Sequence, residues 1–376
     1  MSWEVLLQQP AFLLRRRGRF LVTELTGPCR VMSTSVQNGG QTDRVRFLLN
    51  HQSCEGAGHH ELHRLITEVG HEEYHRRTCV EASLPAEQTA MMGTAANMHY
   101  AAVATETDLS LSVTAVVTGG VETNATCAGD SATWRETQTG FEKIPAYAGT
   151  INTMLVVNAP LTDSALARAV VTMTEGKSAA LQRLAVPSRQ SSDLATGTGT
   201  DQYCIAVVAG QGALSSTSPH VKLGELIGRA VRTATLEALR WQNGLEPSYT
   251  RGIFHALGRY GLTEATFIDD MAPLLETGQL ELLRKNMKAL TYEPLVGASA
   301  HALAAVLDRT RHGALPMSIE RDAAVQHAAT LAVNVATSPD RWSDFRGQLH
   351  ELVTTEPKAL VLAALALGWS QKWRSR

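Results

Sequence analysis

Ala148-Gly149-Thr150-Ile151-Asn152-Thr153-Met154-Leu155-Val156-Val157-Asn158-Ala159-Pro160-Leu161 is the stretch from which the rest of the chain is best read. A small residue and a hydroxyl residue open a run rich in β-branched and long apolar side chains, so Ile151–Val157 is a strand. Asn158 through Leu161 make a turn. Thr162 is then a natural helix N-cap with Asp163 at the positive end of the dipole. Leu166, Val170, Met173, Ala180, Leu181 and Leu184 recur at helical spacing, and Pro187 stands just past the predicted helix end. The loop Ala195-Thr196-Gly197-Thr198-Gly199-Thr200-Asp201 leads into a further strand, Tyr203–Val208. Its glycines allow close backbone approach, and its threonines and carboxylate supply polar groups. No lysine follows to hold a phosphate, which argues against a nucleotide loop.

Outward from this centre, Leu111–Val117 reads as another strand. The arginines 15–17 and 19, flanked by apolar runs, read as a hairpin tip. Ser215-Ser216-Thr217-Ser218-Pro219 resembles a linker. A helix follows from about Val221 to Gln242, with Leu223, Ile227, Val231, Ala234 and Ala238 on one face and Asn243-Gly244 as its stop signal. From there to the end the periodicity is helical, near 263–289, 299–311, 319–336 and 356–370. The expected fold class is α+β: a layered α/β sandwich core with an all-helical C-terminal extension, divided at 1–244 and 245–376.

The chain has 376 residues, 44% hydrophobic and 19% charged, with a formal net charge of −2. This balance gives no electrostatic footprint for nucleic acid. The apolar run Ala359 to Trp369 is far short of the roughly 20 residues that span a bilayer, so no membrane insertion is expected. The start shows no secretory pattern, and the five cysteines are an odd number without a C-x-x-C pair. Both point to the cytoplasm.

His71-Glu72-Glu73-Tyr74-His75 fits H-E-x-x-H, in which two histidines on one helix face bind zinc and the glutamate acts as base. His51, His59, His60 and His63 lie nearby. The charged residues around the motif favour a polar surface helix instead, and no metal is assigned. Trp241, Trp342, Trp369 and Trp373 read as core anchors rather than ring-binding residues.

Several blocks together resemble the adenosylcobinamide amidohydrolase family over roughly residues 20–240. They are Gly149-Thr150-Ile151-Asn152, Thr174 through Leu181, Ala195 through Asp201, Val117-Thr118-Gly119-Gly120-Val121 with Asn124-Ala125 and Ala128-Gly129-Asp130, and His220 through Arg229. Gly119 stands where the family has alanine. The resemblance implies a small-molecule corrinoid substrate and hydrolysis of the amide joining aminopropanol to its ring, giving adenosylcobyric acid in corrinoid salvage. It implies no catalytic cofactor beyond the cobalt the substrate carries, and it is compatible with a homo-oligomer.

A more distant resemblance, to β-peptidyl and D-amino-acid aminopeptidases and ornithine acetyltransferases, implies a mechanism. Their nucleophile position falls on Thr150, and their oxyanion turn on Thr118 and Gly119. Their loop after the helix falls on Thr198 through Asp201. Asn158 departs from the usual aspartate. In these relatives the base is the amino group freed by self-cleavage, here between Gly149 and Thr150; in an intact chain Asp201 or Lys177 are the alternatives. Asn124, Asn152, Lys177, Thr198 and Thr200 are expected to bind substrate. Two other readings remain open at this stage: a Thr-nucleophile hydrolase of small peptides or acylated amino acids, and a non-catalytic corrinoid-binding protein.

Overall fold

The computed structural model describes residues 2–54, 59–132, 134–137, 140–143, 150–352 and 356–372, with backbone only at 59–60, 63, 134, 136–137 and 140–143. Packing divides the chain into two compact units, 1–245 and 246–376. Among the described residues no helix is long and apolar enough to cross a membrane. None of the five cysteines is in a disulfide.

In chain order the first unit has strands β1 (Glu4–Gln9), β2 (Phe12–Arg17), β3 (Phe20–Leu25), β4 (Cys29–Ser33), β5 (Gly40–Thr42) and β6 (Phe47–Gln52). Helices α1 (His59–Val69) and α2 (His71–Ala82) come next. Then come β7 (Thr89–Thr94), β8 (Ala102–Asp108), β9 (Leu111–Gly119), β10 (Ala125–Thr126), β11 (Trp134–Thr137), β12 (Gly140–Lys143) and β13 (Ile151–Val157). The unit ends with α3 (Asp163–Arg183), β14 (Gly197–Thr198), β15 (Gln202–Val208) and α4 (Lys222–Asn243). One sheet has the order β1-β2-β3-β6-β7, the other β5-β4-β15-β13-β9-β8. Each contains one parallel pair, β6 with β7 and β13 with β15. A parallel pair needs a crossover between its strands, which α1–α2 and α3 supply respectively.

Side-chain alternation along these strands builds the layers. Phe12, Leu14, Leu21, Leu48 and Met92 of the first sheet meet Val31, Val116, Met154, Val156 and Cys204 of the second in one buried cluster. The opposite face of the second sheet, with Val113, Ala115, Ile151, Leu155 and Val207, is covered by Leu166, Ala169, Met173 and Leu181 of α3 and Ile227, Val231 and Ala238 of α4. The outer face of the first sheet buries Phe20, Val22 and Leu49 against Ala82 and Leu84. The result is helix, sheet, sheet, helix: a layered sandwich of the α+β class.

Several sequence readings hold closely. Thr162 caps α3, its Oγ1 accepting from the Ala165 N–H at 3.2 Å. Gly244 ends α4 in the left-handed conformation, φ 63°. A Cβ on Gly176 of α3 would lie 2.9 Å from the Gly228 carbonyl oxygen of α4, so two glycines set how closely these helices approach.

One reading is corrected and one refined. Ser215–Pro219 is not a linker: Thr217 is fully buried, donating to the Ala165 carbonyl and accepting from Thr172 Oγ1, each at 2.8 Å. These bonds pin the segment onto α3, and Gly224 packs beneath it, where a Cβ would lie 2.0 Å from the Ser218 oxygen. The arginine run does sit at a hairpin, β2 with β3, but the turn falls at its end rather than across it. Arg15, Arg16 and Arg17 lie within β2, and only Gly18, φ 53°, and Arg19 form the turn. Arg15 pairs with Glu24, Arg16 with Glu4, and Arg19 with Glu81. Those partners hold the arginines as structural charges.

The second unit is helical, with principal helices Thr277–Asn286, Pro294–Arg311, Met317–Ala336, Trp342–Glu351 and Pro357–Lys372. Phe267, Leu303, Leu331, Phe345 and Trp369 centre its core. Arg259 forms a bidentate pair with Asp308, which also accepts from the Tyr260 hydroxyl. Trp369 is a core anchor as expected, Trp241 is more than half exposed, and Trp373 lies outside the described residues.

Candidate functional site

The head of β13 lies against two neighbours. On one side β9 runs antiparallel to it, Thr118 opposite Asn152 and Gly119 opposite Ile151. On the other, β15 and the loop before it close in. Thr150, 7% exposed, donates its hydroxyl to the Thr200 carbonyl at 2.6 Å, with Asn152 Oδ1 at 3.4 Å. Its own carbonyl accepts from the Gly120 N–H at 3.0 Å. Three segments far apart in sequence therefore meet at Thr150.

That residue lies on the wall of a cleft of about 250 Å³. The first sheet lines it with Ser53, Met91, Gly93 and Thr94, the second with Thr150, Thr200 and Gln202. The 35–37 segment and residues Leu62, Ile66, His71, Tyr74 and His75 of α1 and α2 complete the lining. Gln202 Oε1 accepts from the Gly93 N–H at 3.0 Å and so ties the two sheets together at the cleft.

Of the sequence-predicted site residues, Thr150 and Thr200 line this cleft. Asn152 lies directly beneath, fully buried. Its Nδ2 donates to Asn50 Oδ1 at 2.9 Å and to the Gly93 carbonyl at 3.1 Å. Asn50 Nδ2 in turn donates to Thr118 Oγ1 at 2.7 Å. This chain of amides and hydroxyls satisfies buried polar groups and fixes the floor. Asn50, which the sequence did not single out, is its hub; the only signal was a polar residue closing the apolar start of β6, Phe47-Leu48-Leu49.

Thr118 is 1% exposed and does not line the cleft. The Gly120–Thr150 bond makes those two residues a hydrogen-bonded pair, so the next pair, Gly119 with Ile151, turns its backbone groups outward. The Gly119 N–H thus points away from β13, and the expected oxyanion turn does not face the Thr150 hydroxyl. The Ile151 N–H is taken instead by Asp201 Oδ1 at 2.9 Å.

Asp201 is occupied in full. Beside Ile151 it accepts from the Thr198 hydroxyl at 2.5 Å and the Thr198 N–H at 3.1 Å, and it pairs with the Lys177 ammonium. A Cβ on Gly197 would lie 2.5 Å from Asp201 Oδ2 and 2.7 Å from Lys177 Nζ, so glycine there leaves room for the pair. Neither charge lines the cleft. Their expected roles as base are therefore replaced by one of support, fastening the 197–201 loop and α3 to the head of β13. Asn124 likewise supports the loop, its carbonyl accepting from the Gly199 N–H at 3.3 Å. Gly149, and with it the bond before Thr150, lies outside the described residues.

The H-E-x-x-H segment is more than a surface helix. Glu72, Arg76 and Arg77 are exposed, and the two arginines hold the Glu73 carboxyl down at about 2. Tyr74 and His75 turn inward. His75 Nε2 bonds to the Thr89 carbonyl at 3.0 Å, so the second histidine of the motif is committed to the fold. The side chains of His59, His60 and His63 lie outside the described residues.

Behind Tyr74 sits His51, 2% exposed, stacked on Phe20 with ring centroids 5.0 Å apart. Burial pushes its imidazole down to about 4, helped by nearby Arg19. The unfolded chain therefore takes up a proton from pH 6.5 downward that the folded chain refuses until near pH 4. His51 costs no stability above pH 6.5 and progressively more as the pH falls. Melting temperatures between pH 7.5 and 5 are expected to fall more steeply for the wild type than for His51→Phe; parallel slopes would remove His51 from the acid response.

An uncharacterized protein of Methanocaldococcus jannaschii is 37% identical over 186 residues, covering 47% of this chain and 72% of that protein. The family model described as adenosylcobinamide amidohydrolase matches residues 8–247, well over half of the chain and nearly all of the sandwich unit. With that match, the chain belongs to the adenosylcobinamide amidohydrolase family.

Proposed function

We propose that this protein cleaves the aminopropanol amide of adenosylcobinamide to give adenosylcobyric acid, with Thr150 as nucleophile. The observation that carries this reading is the Thr150 hydroxyl at a strand head, on the wall of an open cleft, inside the segment matched by the family model. Thr150 Oγ1 adds to the amide carbon, the C–N bond breaks, and the hydroxyl proton ends on the departing amine. Water then splits the ester, its hydroxyl going to the acyl carbon and its hydrogen back to Thr150. Every step uses amide, hydroxyl and water chemistry, with no added cofactor.

The dimensions favour an arm-in, ring-out pose. A cleft of about 250 Å³ accepts an amide-bearing chain but not a corrin macrocycle. Val36, two-thirds exposed, and Leu62 and Ile66 give the cleft apolar surface suited to the ring's edge. The deciding experiment incubates purified protein with adenosylcobinamide and resolves the products. Adenosylcobyric acid and free aminopropanol in equal amounts are expected. Tight binding without turnover would replace this reading with a corrinoid carrier, and turnover confined to aminoacyl amides with a small-amide hydrolase.

A further inference from the structure

The cleft needs a donor for the oxygen that becomes negative as Thr150 attacks, and neither Thr118 nor the Gly119 amide faces it. Tyr74 does line it. Its hydroxyl oxygen lies 3.5 Å from His51 Nδ1. His51 Nε2 is buried with no hydrogen-bond partner among the described residues. A neutral imidazole carries one proton, and placing it on Nε2 would bury a donor with no acceptor. The proton therefore belongs on Nδ1, directed at the Tyr74 oxygen. Held as an acceptor from behind, the phenol keeps its own hydrogen for a partner on its other side, where the Thr78 and Ser53 hydroxyls also approach it and Ser53 lines the cleft with it. The Phe20 stack fixes the imidazole plane and hence this direction.

We propose that Tyr74, positioned by His51, donates the hydrogen bond that steadies the substrate carbonyl oxygen while the Thr150 oxygen bonds to the carbon. The inference rests on the Thr150 reading and adds to it a catalytic residue, Tyr74, and a positioning residue, His51. The phenol hydrogen stays on Tyr74 throughout, so no proton needs another destination. Burial holds the Tyr74 hydroxyl above the ordinary tyrosine value, against smaller opposing pulls from the Thr78 hydroxyl, Arg19 and Ser53. It remains a neutral donor at any working pH.

The test compares full-length wild type, Tyr74→Phe, His51→Phe and Thr150→Ala in steady-state hydrolysis of adenosylcobinamide. A preorganised oxyanion donor contributes roughly 10²–10³-fold to kcat. Tyr74→Phe is expected to lose about that much in kcat with KM changed less than about threefold, because the bond strengthens only in the transition state. His51→Phe, which keeps a ring on Phe20, is expected to lose roughly tenfold in kcat at unchanged KM. If Tyr74→Phe turns over like the wild type while Thr150→Ala is inert, the inference falls and the nucleophile stands. If Thr150→Ala remains active, the nucleophile reading falls. Fluorotyrosines at position 74 guard against a folding artefact, since they preserve shape. At pH 6.5 kcat should rise with phenol acidity, and a flat response would overturn the donor role.

Discussion

Thr150→Ala is expected to leave a folded protein that turns over adenosylcobinamide on the order of 10⁴-fold or more slowly, since removing a nucleophile removes the covalent route altogether. The structure makes this a clean substitution. The Thr150 hydroxyl bonds to the Thr200 carbonyl at 2.6 Å, with a longer contact to Asn152 Oδ1 at 3.4 Å, while its backbone carbonyl bond to Gly120 is untouched by the change. A lost neutral hydrogen bond costs about 0.5–1.5 kcal/mol, too little to unfold a sandwich of this size. Thr150→Ser keeps the oxygen and should retain measurable activity. Intact mass belongs to the same experiment: a single full-length species in an active preparation would show that no amino group is freed before Thr150. Full turnover by Thr150→Ala would exclude this hydroxyl from the mechanism.

The second large effect is expected at Asp201. Asp201→Ala removes the acceptor for the Ile151 N–H, for the Thr198 hydroxyl and N–H, and for the Lys177 ammonium in one step. Lys177 and Asp201 side chains are only 13% and 19% exposed, so solvent replaces little of what is lost. Breaking one partner of such a pair costs about 3–5 kcal/mol, a fall on the order of 10 °C in the melting temperature of a unit this long. Activity should fall with it, because the 197–201 loop carries the Thr200 carbonyl that orients Thr150. Pairing the change with Lys177→Met should restore part of the lost stability, since it removes the stranded ammonium; strict additivity of the two losses would mean that the ion pair does not couple them. An active, fully stable Asp201→Ala would show the loop to be held by something else.

The elements around Thr150 were legible residue by residue. Ile151–Val157 has the β-branched run of a buried strand. The α3 segment combines a threonine cap, a dipole-matching aspartate and apolar 3.6-residue spacing. The α4 segment adds a glycine stop. These signals are local, so the sequence displays them directly. The support roles of Asp201, Lys177 and Asn124 were not legible, because a carboxylate in a loop looks the same whether it faces a substrate or four donors of its own protein. The misreading of Ser215–Pro219 has the same origin: composition marks serine-rich turns as linkers, and only the bonds of Thr217 to α3 show that this one is part of the core. Tyr74 sat in view inside an apparent metal motif, but whether it faces water or a cleft depends on how α2 seats on the first sheet.

By itself the sequence determined the class of the protein, its central strand and helices, the family, and the residue at the strand head, since each rests on spacing or on motif order along the chain. The tertiary structure decided which polar residues share a cleft and which only brace it. Pairing of β13 with β9 turns the Gly119 amide outward, and the crossover that places α2 over the first sheet brings Tyr74 to the same cleft as Thr150, with His51 of β6 behind it. The physical reason is that hydrogen-bond direction and burial are properties of neighbours in space, and those neighbours stand 70 to 100 residues apart in the chain.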